Sequence, residues 1–213
     1  MCEENTSTTS QENHKSFLNR FRLKITPADL KKLDFAYVMA KYGHGKQIRD
    51  CGVRYFEHLR STSLILIDEL GITDVEIIIA SLLHDMLEDN FLLDVERINF
   101  TFGERVAMIV NTVSKPRKND LRFSSDEQRN ACYFEQIANS ETCCKIVKLA
   151  DRLHNVRTLS SCQEEKQRRK VKETKIVYLP LIEKISEEYP EVAQFFRQQF
   201  QIAITELEQN LNG

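Results

Sequence analysis

The sequence predicts an all-α fold. Only six glycines and four prolines interrupt its 213 residues, and this scarcity favours long helices over a fold with many turns. Apolar residues recur at helical spacing along most of the chain, and no segment alternates convincingly between apolar and polar residues. The apolar fraction of 41% and the charged fraction of 29% are typical of an ordinary globular protein.

The chain begins with a polar stretch that has no period. We therefore expect residues 1–24 to form a flexible tail, and residues 25–213 to form a single domain. The first helix of that domain should begin near Thr26, with Pro27 in its first turn, and end near Gly43.

The remaining helices follow from apolar periodicity and from the residues that start and stop helices. The second should cover about 55–70, and the third should open after Thr73 and continue to about Asp89. Others are expected at about 94–102, 104–113, 125–138, 142–159, 164–186 and from Pro190 to about 210, with an exposed loop at 115–124. The last helix could cover the core or pair with another subunit, because it carries Phe195, Phe196, Phe200, Ile202, Ile204 and Leu207.

Charge and hydropathy exclude several classes of partner. The formal net charge is −2, so nothing indicates general affinity for nucleic acid or for an anionic membrane. The apolar runs at 64–67 and 77–83 are too short to cross a bilayer, and the polar start lacks the features of a signal peptide. We expect a cytoplasmic protein in which the six cysteines are free thiols.

The third predicted helix joins a buried segment to a cluster of acids. Ile77 to Leu83 are apolar around nearly the whole helix, and His84, Asp85, Glu88 and Asp89 follow directly. Buried carboxylates need a solvent-filled cleft or a cation. On an unbroken helix, residues 88 and 89 would stack on residues 84 and 85. The same pattern also fits a helix that emerges into water and ends in a polar turn.

Two other helices carry residues of the same chemistry. In the helix around Asp151, a polar row of Asp151, Asn155 and Thr158 runs beside an apolar stripe, and the second helix contains His58. Two imidazoles and two carboxylates suit Mn, Fe, Co or Zn better than Mg or Ca. Periodicity alone does not show that these side chains meet. The candidate donors are His58, His84, Asp85 and Asp151.

Several short motifs occur in a fixed order. Tyr55 precedes His58, an HD dipeptide stands at His84-Asp85, Ser114-Lys115 follows, and the run KLADRLHNVRTL occupies residues 148–159. With these motifs, residues 30–187 resemble the hydrolase domain of the RelA/SpoT alarmone enzymes. The likeness is greatest to the stand-alone small alarmone hydrolases, which include animal members.

The resemblance implies a compact HD-domain bundle of about ten helices. It implies that Mn²⁺, or another borderline divalent metal, is held by His58, His84, Asp85 and Asp151. The implied reaction removes the 3′-pyrophosphate of guanosine 3′,5′-bis(diphosphate), ppGpp or pppGpp, to leave GDP or GTP. Because the chain ends soon after the family's closing segment at 173–181, we expect no synthetase activity.

The same resemblance suggests roles for further residues. Glu88 and Asp89 would orient water and move protons, with Asp89 favoured as the general acid or base. Asn155 would contact the phosphate or ribose, and the guanidinium of Arg49 would stack on the base. Weaker candidates for contact with the nucleotide are Lys46, Lys115 and Thr158.

The chain departs from the family pattern around the nucleotide. Asp50 and Cys51 stand where many members have a basic residue and Ser, while Arg54 and Leu59 each replace a Pro. Asp50 would repel phosphate unless a cation such as Arg54 offsets it. Two other functions therefore stay open. One is an HD phosphatase acting on another 2′- or 3′-phosphorylated nucleotide such as NADPH, and the other is a non-catalytic nucleotide-sensing helical module.

Overall fold

The computed structural model describes residues 13–89 and 93–212, and within these ranges the all-α prediction is confirmed. No strand occurs there, and only an isolated bridge joins Ile48 and Arg54. The helices are α1 His14–Asn19, α2 Pro27–Gly43, α3 Tyr55–Leu64, α4 Val75–Leu83, α5 Met86–Asp89, α6 Val95–Phe102, α7 Glu104–Val113, α8 Asp126–Asn139, α9 Thr142–Arg157, α10 Glu164–Glu173, α11 Leu179–Ile185 and α12 Pro190–Asn212. Two π-helical turns, Ile65–Glu69 and Thr174–Tyr178, continue α3 and α10, and the 3₁₀ turn Leu159–Ser161 follows α9.

Two helices form the centre of the bundle. Every residue of α4 from Ile77 to Leu83 is buried, as its apolar circumference predicts, and α4 packs against α2, α3, α7 and α9. In turn, α9 packs against α3, α7, α11 and α12. Residues on α3, α4 and α9 are therefore brought together in the interior.

The third predicted helix differs from the structure at both ends. Its cap is Asp74 and not Thr73, because the Asp74 carboxylate accepts from the backbone N–H groups of Glu76 and Ile77. The helix stops at Leu83, and His84 and Asp85 form a turn before α5. The expected stacking of residues 88 and 89 on residues 84 and 85 along one continuous helix is therefore wrong.

The structure also differs from the expected flexible tail. Residues 13–24 include α1, in which Asn13 caps the helix through its side chain. Phe17 and Phe21 are buried, and the Phe17 ring lies 5.1 Å from the ring of Tyr37 on α2. This segment is part of the core, and residues 1–12 of the expected tail lie outside the described residues.

The last helix covers the core. Phe196, Phe200, Ile204 and Leu207 of α12 are buried, whereas Ile202 is exposed. Its contacts are with α9, α10 and α11. None of the helices in the described ranges combines the length and the apolar character that a membrane span requires.

Candidate metal centre and active site

The packing of α3, α4 and α9 brings the four predicted metal donors together. His58 Nε2 on α3 lies 3.1 Å from Asp151 Oδ1 on α9. His84 Nε2, in the turn after α4, lies 3.6 Å from the same oxygen and 3.2 Å from Asp85 Oδ2. Asp85 Oδ2 is also 3.8 Å from His58 Nε2. One donor atom from each of His58, His84 and Asp151 falls within 4.8 Å of the others, and Asp85 borders this group.

Both imidazoles are held by hydrogen bonds through their other nitrogen. His84 Nδ1 lies 2.7 Å from the carbonyl oxygen of Ser81, to which it donates. His58 Nδ1 lies 2.8 Å from His154 Nδ1, and burial, together with neighbouring positive charge, holds the pKa of His154 well below its usual range. A neutral His154 can accept the proton of His58 Nδ1. These contacts leave the Nε2 lone pairs directed at the carboxylates.

The carboxylates are strongly ionised although they are buried. Burial opposes the charge of Asp151, but the nearby Lys148 and the two imidazoles hold its pKa well below the usual range. Lys148 Nζ lies 2.9 Å from Asp151 Oδ2. Burial likewise opposes the charge of Asp85, and His84 beside it lowers the pKa of that carboxyl. Asp85 also accepts a 2.7 Å hydrogen bond from the Tyr55 hydroxyl.

The site fits a divalent cation. His84 is fully buried, and its Nε2 atom has no hydrogen-bond partner among the described residues. Burial alone would lower the pKa of His84, but the carboxylates of Asp85 and Asp151 outweigh it and raise the pKa to about 10. The raised pKa means that the surroundings of His84 Nε2 favour a positive charge. Two imidazole nitrogens and two carboxylates form a ligand set that suits a divalent cation.

Glu88 lies beside this centre and lines the cavity that opens over the metal donors. Burial and the charge of Asp85 raise the pKa of Glu88 to about 7, a value suited to proton transfer near neutral pH. Its Oε1 accepts a 2.6 Å hydrogen bond from the backbone N–H of Lys115. Asp89 ends α5, but its side chain lies outside the described residues, so its predicted role remains a prediction.

A cavity of about 340 Å³ opens over the metal donors. Its wall combines the acids of the centre with basic side chains from several helices, which is a suitable lining for a ligand that carries several phosphates. The basic residues in the wall are Arg49, Lys115, Lys148, Arg152, Lys166 and Lys170.

A smaller cavity of about 190 Å³ adjoins the first and shares Arg49 and Asn155 with it. The Asn155 amide donates to Asp151 Oδ1 at 2.6 Å, and its carbonyl oxygen accepts from Arg49 Nη2 at 2.6 Å. The Arg49 guanidinium lies 5.8 Å from the centre of the Tyr55 ring. Thr158 lines the smaller cavity. The predicted substrate residues Arg49, Asn155 and Thr158 are therefore brought together next to the metal donors.

Two expectations about charged residues differ from the structure. Lys46 is exposed and lines neither cavity. Asp50 is offset by Lys166, with which it forms an ion pair that lowers the pKa of Asp50, and not by Arg54. The Arg54 guanidinium instead pairs with Glu57 at 2.7 Å. Lys115 lines the larger cavity, and its contact with the nucleotide remains a prediction.

Sequence reasoning missed several residues of the site. His154, Lys148 and Arg152 all lie in the run at 148–159, but the burial of Lys148 and Arg152 and the contact of His154 with His58 were not foreseen. Arg152 is buried, with its guanidinium 3.9 Å from the centre of the Tyr178 ring and paired with Glu173. For Lys148 and His154 the spacing was an available signal, because each stands three residues from Asp151 on α9 and residues three or four apart share a helix face.

The family model and the curated relatives that match this chain agree with each other. A family model described as an HD domain matches residues 36–185. A guanosine-3′,5′-bis(diphosphate) 3′-pyrophosphohydrolase from Aquifex aeolicus is 38% identical over 159 residues, which cover 75% of this chain and 22% of that protein. The bifunctional (p)ppGpp synthase/hydrolase SpoT from Escherichia coli is 34% identical over 174 residues, or 79% of this chain and 24% of that protein.

The relatives' names cover more than one activity. A GTP pyrophosphokinase from Streptomyces coelicolor is 34% identical over 163 residues, covering 76% of this chain and 19% of that protein. This chain thus spans about a quarter or less of the curated relatives it matches. A solved structure of a metazoan SpoT ortholog, described as hydrolysing ppGpp, aligns with a TM-score of 0.61 at 22% identity, over 85% of this chain and 96% of that one. At this identity, the structural likeness shows the fold.

Proposed function

The chain belongs to the HD-domain family, and its relatives are RelA/SpoT enzymes; we propose that it hydrolyses the 3′-pyrophosphate of guanosine 3′,5′-bis(diphosphate). The observation that carries the proposal is the meeting of His58, His84, Asp85 and Asp151 at the base of a cavity with a basic wall. A bound polyphosphate can then reach the metal donors and Glu88 at the same time. Hydrolysis without synthesis remains a prediction from the sequence.

We propose that these four donors hold Mn²⁺. The mixed nitrogen and oxygen set favours a borderline divalent ion. Such an ion would supply a Lewis acid and a position at which water loses a proton near neutral pH. His154 and Ser81 would keep the two imidazoles in the tautomer that exposes Nε2, and Lys148 would balance part of the charge of Asp151.

The proposed reaction exchanges one bond to phosphorus for another. The water oxygen bonds to the phosphorus next to the 3′ oxygen, and the bond between that phosphorus and the 3′ oxygen breaks. The water must lose a proton and the leaving 3′ oxygen must gain one. Glu88 is suited to accept the first proton because its pKa is raised to about 7. We assign the second transfer to Asp89, which the family resemblance favours as a general acid or base.

Binding would use both cavities. The smaller one would hold the nucleoside, with the Arg49 guanidinium against the base and Asn155 and Thr158 beside the sugar. The larger one would hold the 3′-diphosphate against Lys115, Arg152 and Lys170. Guanine nucleotides of the alarmone type are accordingly the proposed partners, with a cytoplasmic location and no part for nucleic acid or membrane.

The direct test is product analysis. Protein loaded with Mn²⁺ is incubated with guanosine 3′,5′-bis(diphosphate), and nucleotides, pyrophosphate and orthophosphate are separated by ion-exchange chromatography. We expect GDP and pyrophosphate in equal amounts, and turnover lower by at least about 100-fold in the matched variant Glu88→Gln. Binding of the nucleotide without any turnover by the unmodified protein would instead support a nucleotide-sensing module.

A second candidate is supported by the changed wall of the nucleotide cavity. Asp50 and Lys166 form an ion pair at the junction of the two cavities, so the pocket can select a nucleotide other than the guanosine alarmone. The same assay with NADPH separates the two functions. Release of orthophosphate from NADPH, without pyrophosphate from the alarmone, would make the chain an HD phosphatase.

A further inference from the structure

The segment that follows α7 contacts the turn between α4 and α5 and the helix α5, which belong to the candidate active site. We call residues 114–117 the clasp. The Ser114 hydroxyl donates to the His84 carbonyl oxygen at 2.8 Å, and the Lys115 backbone N–H donates to Glu88 Oε1 at 2.6 Å. The two residues bind opposite ends of the five-residue stretch 84–88, which contains two metal donors and the candidate proton acceptor.

Arg117 makes the third attachment. Its Nε lies 3.3 Å from the Leu87 carbonyl oxygen and 3.2 Å from that of Glu88, and its Nη2 lies 3.0 Å from the Leu87 oxygen. These carbonyls end the short helix α5, where backbone oxygens have no partner within the helix. A cation at a helix C-terminus is also favoured by the helix dipole.

The stretch needs such support because α5 is only four residues long. A single helical turn is not stable by itself, since fixing its backbone costs more than its one or two hydrogen bonds return. The turn at His84 and Asp85 separates α5 from the buried helix α4. The position of the Glu88 carboxylate therefore depends on contacts with the clasp.

Arg117 acts from outside the substrate cavity. It is not among the residues that line the cavity over the metal donors. It lines a separate cavity of about 560 Å³, together with Leu87 and Pro116, on the other side of Lys115. Its guanidinium donates to the backbone oxygens of Leu87 and Glu88, so we expect an effect of Arg117 on catalysis to pass through Glu88.

We propose that Arg117 is a positioning residue that fixes the position of the Glu88 carboxylate relative to the metal donors. The kinetic part of this inference rests on the proposed hydrolase function, whereas its structural part does not. Small displacements of a catalytic group, of about 1 Å, can reduce turnover by about 100-fold without loss of binding.

The test compares Arg117→Ala with the matched control Arg122→Ala. Arg122 belongs to the same loop, but its exposed guanidinium pairs with Asp120 and lies 5.6 Å from the centre of the Phe123 ring. Hydrogen exchange of the amides of residues 84–89 and of Lys115 is followed by mass spectrometry, without substrate. Steady-state kinetics and the Mn²⁺-induced shift of the unfolding midpoint are measured on the same preparations.

For Arg117→Ala we expect faster exchange at these amides, a kcat lower by about 10-fold to 100-fold, and an unchanged KM and Mn²⁺ shift. Arg122→Ala should change none of these values. Arg117→Lys should recover part of the kcat, since an ammonium can donate to one carbonyl but lacks the planar fork.

Two results would overturn the inference. Unchanged exchange and kcat in Arg117→Ala would show that Glu88 is held without Arg117. An equal fall in kcat and in the Mn²⁺ shift, shared by Arg122→Ala, would show a general loss of structure. If the unmodified protein hydrolyses no nucleotide, the proposed function fails, while the exchange experiment still decides whether Arg117 fixes this stretch.

Discussion

Asp85→Asn tests whether the fourth donor belongs to the metal centre. The Asp85 Oδ2 atom lies 3.2 Å from His84 Nε2 and 3.8 Å from His58 Nε2, so a cation between the imidazoles would contact it. Asparagine keeps the shape and still accepts the hydrogen bond from Tyr55. The substitution therefore removes one negative charge from the centre with little change in packing.

The magnitude follows from charge and mass action. A unit charge about 4 Å away is worth roughly 4 kcal/mol at an effective dielectric constant of about 20, so a loss of about 100-fold in Mn²⁺ affinity is a modest expectation. With free Mn²⁺ at about 100 times the Kd, the unmodified protein gains about 2.7 kcal/mol of stability. For a chain of this size that raises the Tm by roughly 5–11 °C. In Asp85→Asn the same Mn²⁺ concentration gives only about 0.4 kcal/mol, or about 1 °C.

The assay is thermal unfolding with and without Mn²⁺, and it needs no substrate. Asp120→Asn is the matched control, because Asp120 is a carboxylate that pairs with Arg122 outside the centre, and it should keep the full shift. A full shift in Asp85→Asn would exclude Asp85 from the ligand set. Absence of any shift in the unmodified protein would refute the metal centre itself.

Three further outcomes are expected. Glu88→Gln should lower kcat by about 100-fold to 10,000-fold while keeping the Mn²⁺ shift in the unfolding midpoint, because proton transfer is lost and the ligands remain; a lost shift would make Glu88 a ligand. Arg49→Ala should raise KM at least about 10-fold through loss of stacking and hydrogen bonding, whereas Lys46→Ala, an exposed lysine away from both cavities, should not; steady-state kinetics on both variants would reveal the opposite ranking. Phe17→Ala should cost about 3–5 kcal/mol of stability, since Phe17 is fully buried against Tyr37, and a chemical denaturation curve that matches the unmodified protein would place α1 outside the core.

Much of the candidate site was predictable because it obeys local rules. The circumference of α4 is apolar, which predicts burial, and acids that directly follow a buried helix require a cation or solvent. The spacing on α9 placed Asp151, Asn155 and Thr158 on one row, and all three lie along the two cavities. The proximity of His58 to the other metal donors was predicted only from the resemblance to a family, because periodicity carries no information on which helices pack together.

The break at His84 was not predictable from local sequence. Nothing near it stops a helix, and the stop depends on contacts that are not local. Ser114, thirty residues further along the chain, binds the His84 carbonyl oxygen. Tertiary contacts of this kind can override the helix propensity of the local sequence. The buried Phe17 and Phe21 are different, because their spacing of four residues is a helical signal within the sequence.

The charges around the cavities divide into two groups with different tasks. Asp85 and Asp151 are themselves proposed metal donors, so a divalent ion, together with Lys148 beside Asp151, would balance their charge without the other basic side chains of the wall. In that wall, Lys166 pairs with Asp50, and Lys170 pairs with Glu173 at 2.9 Å.

To bind these lysines, a phosphate group would have to displace the carboxylates of Asp50 and Glu173. The cost of breaking these ion pairs would reduce the net free energy of binding. A ligand that lacks phosphates gains nothing by the exchange, because the lysines are already paired. Only a ligand with several phosphates would gain enough from the lysines to offset the loss of both ion pairs, so under the proposed function we expect these pairs to favour polyanionic nucleotides.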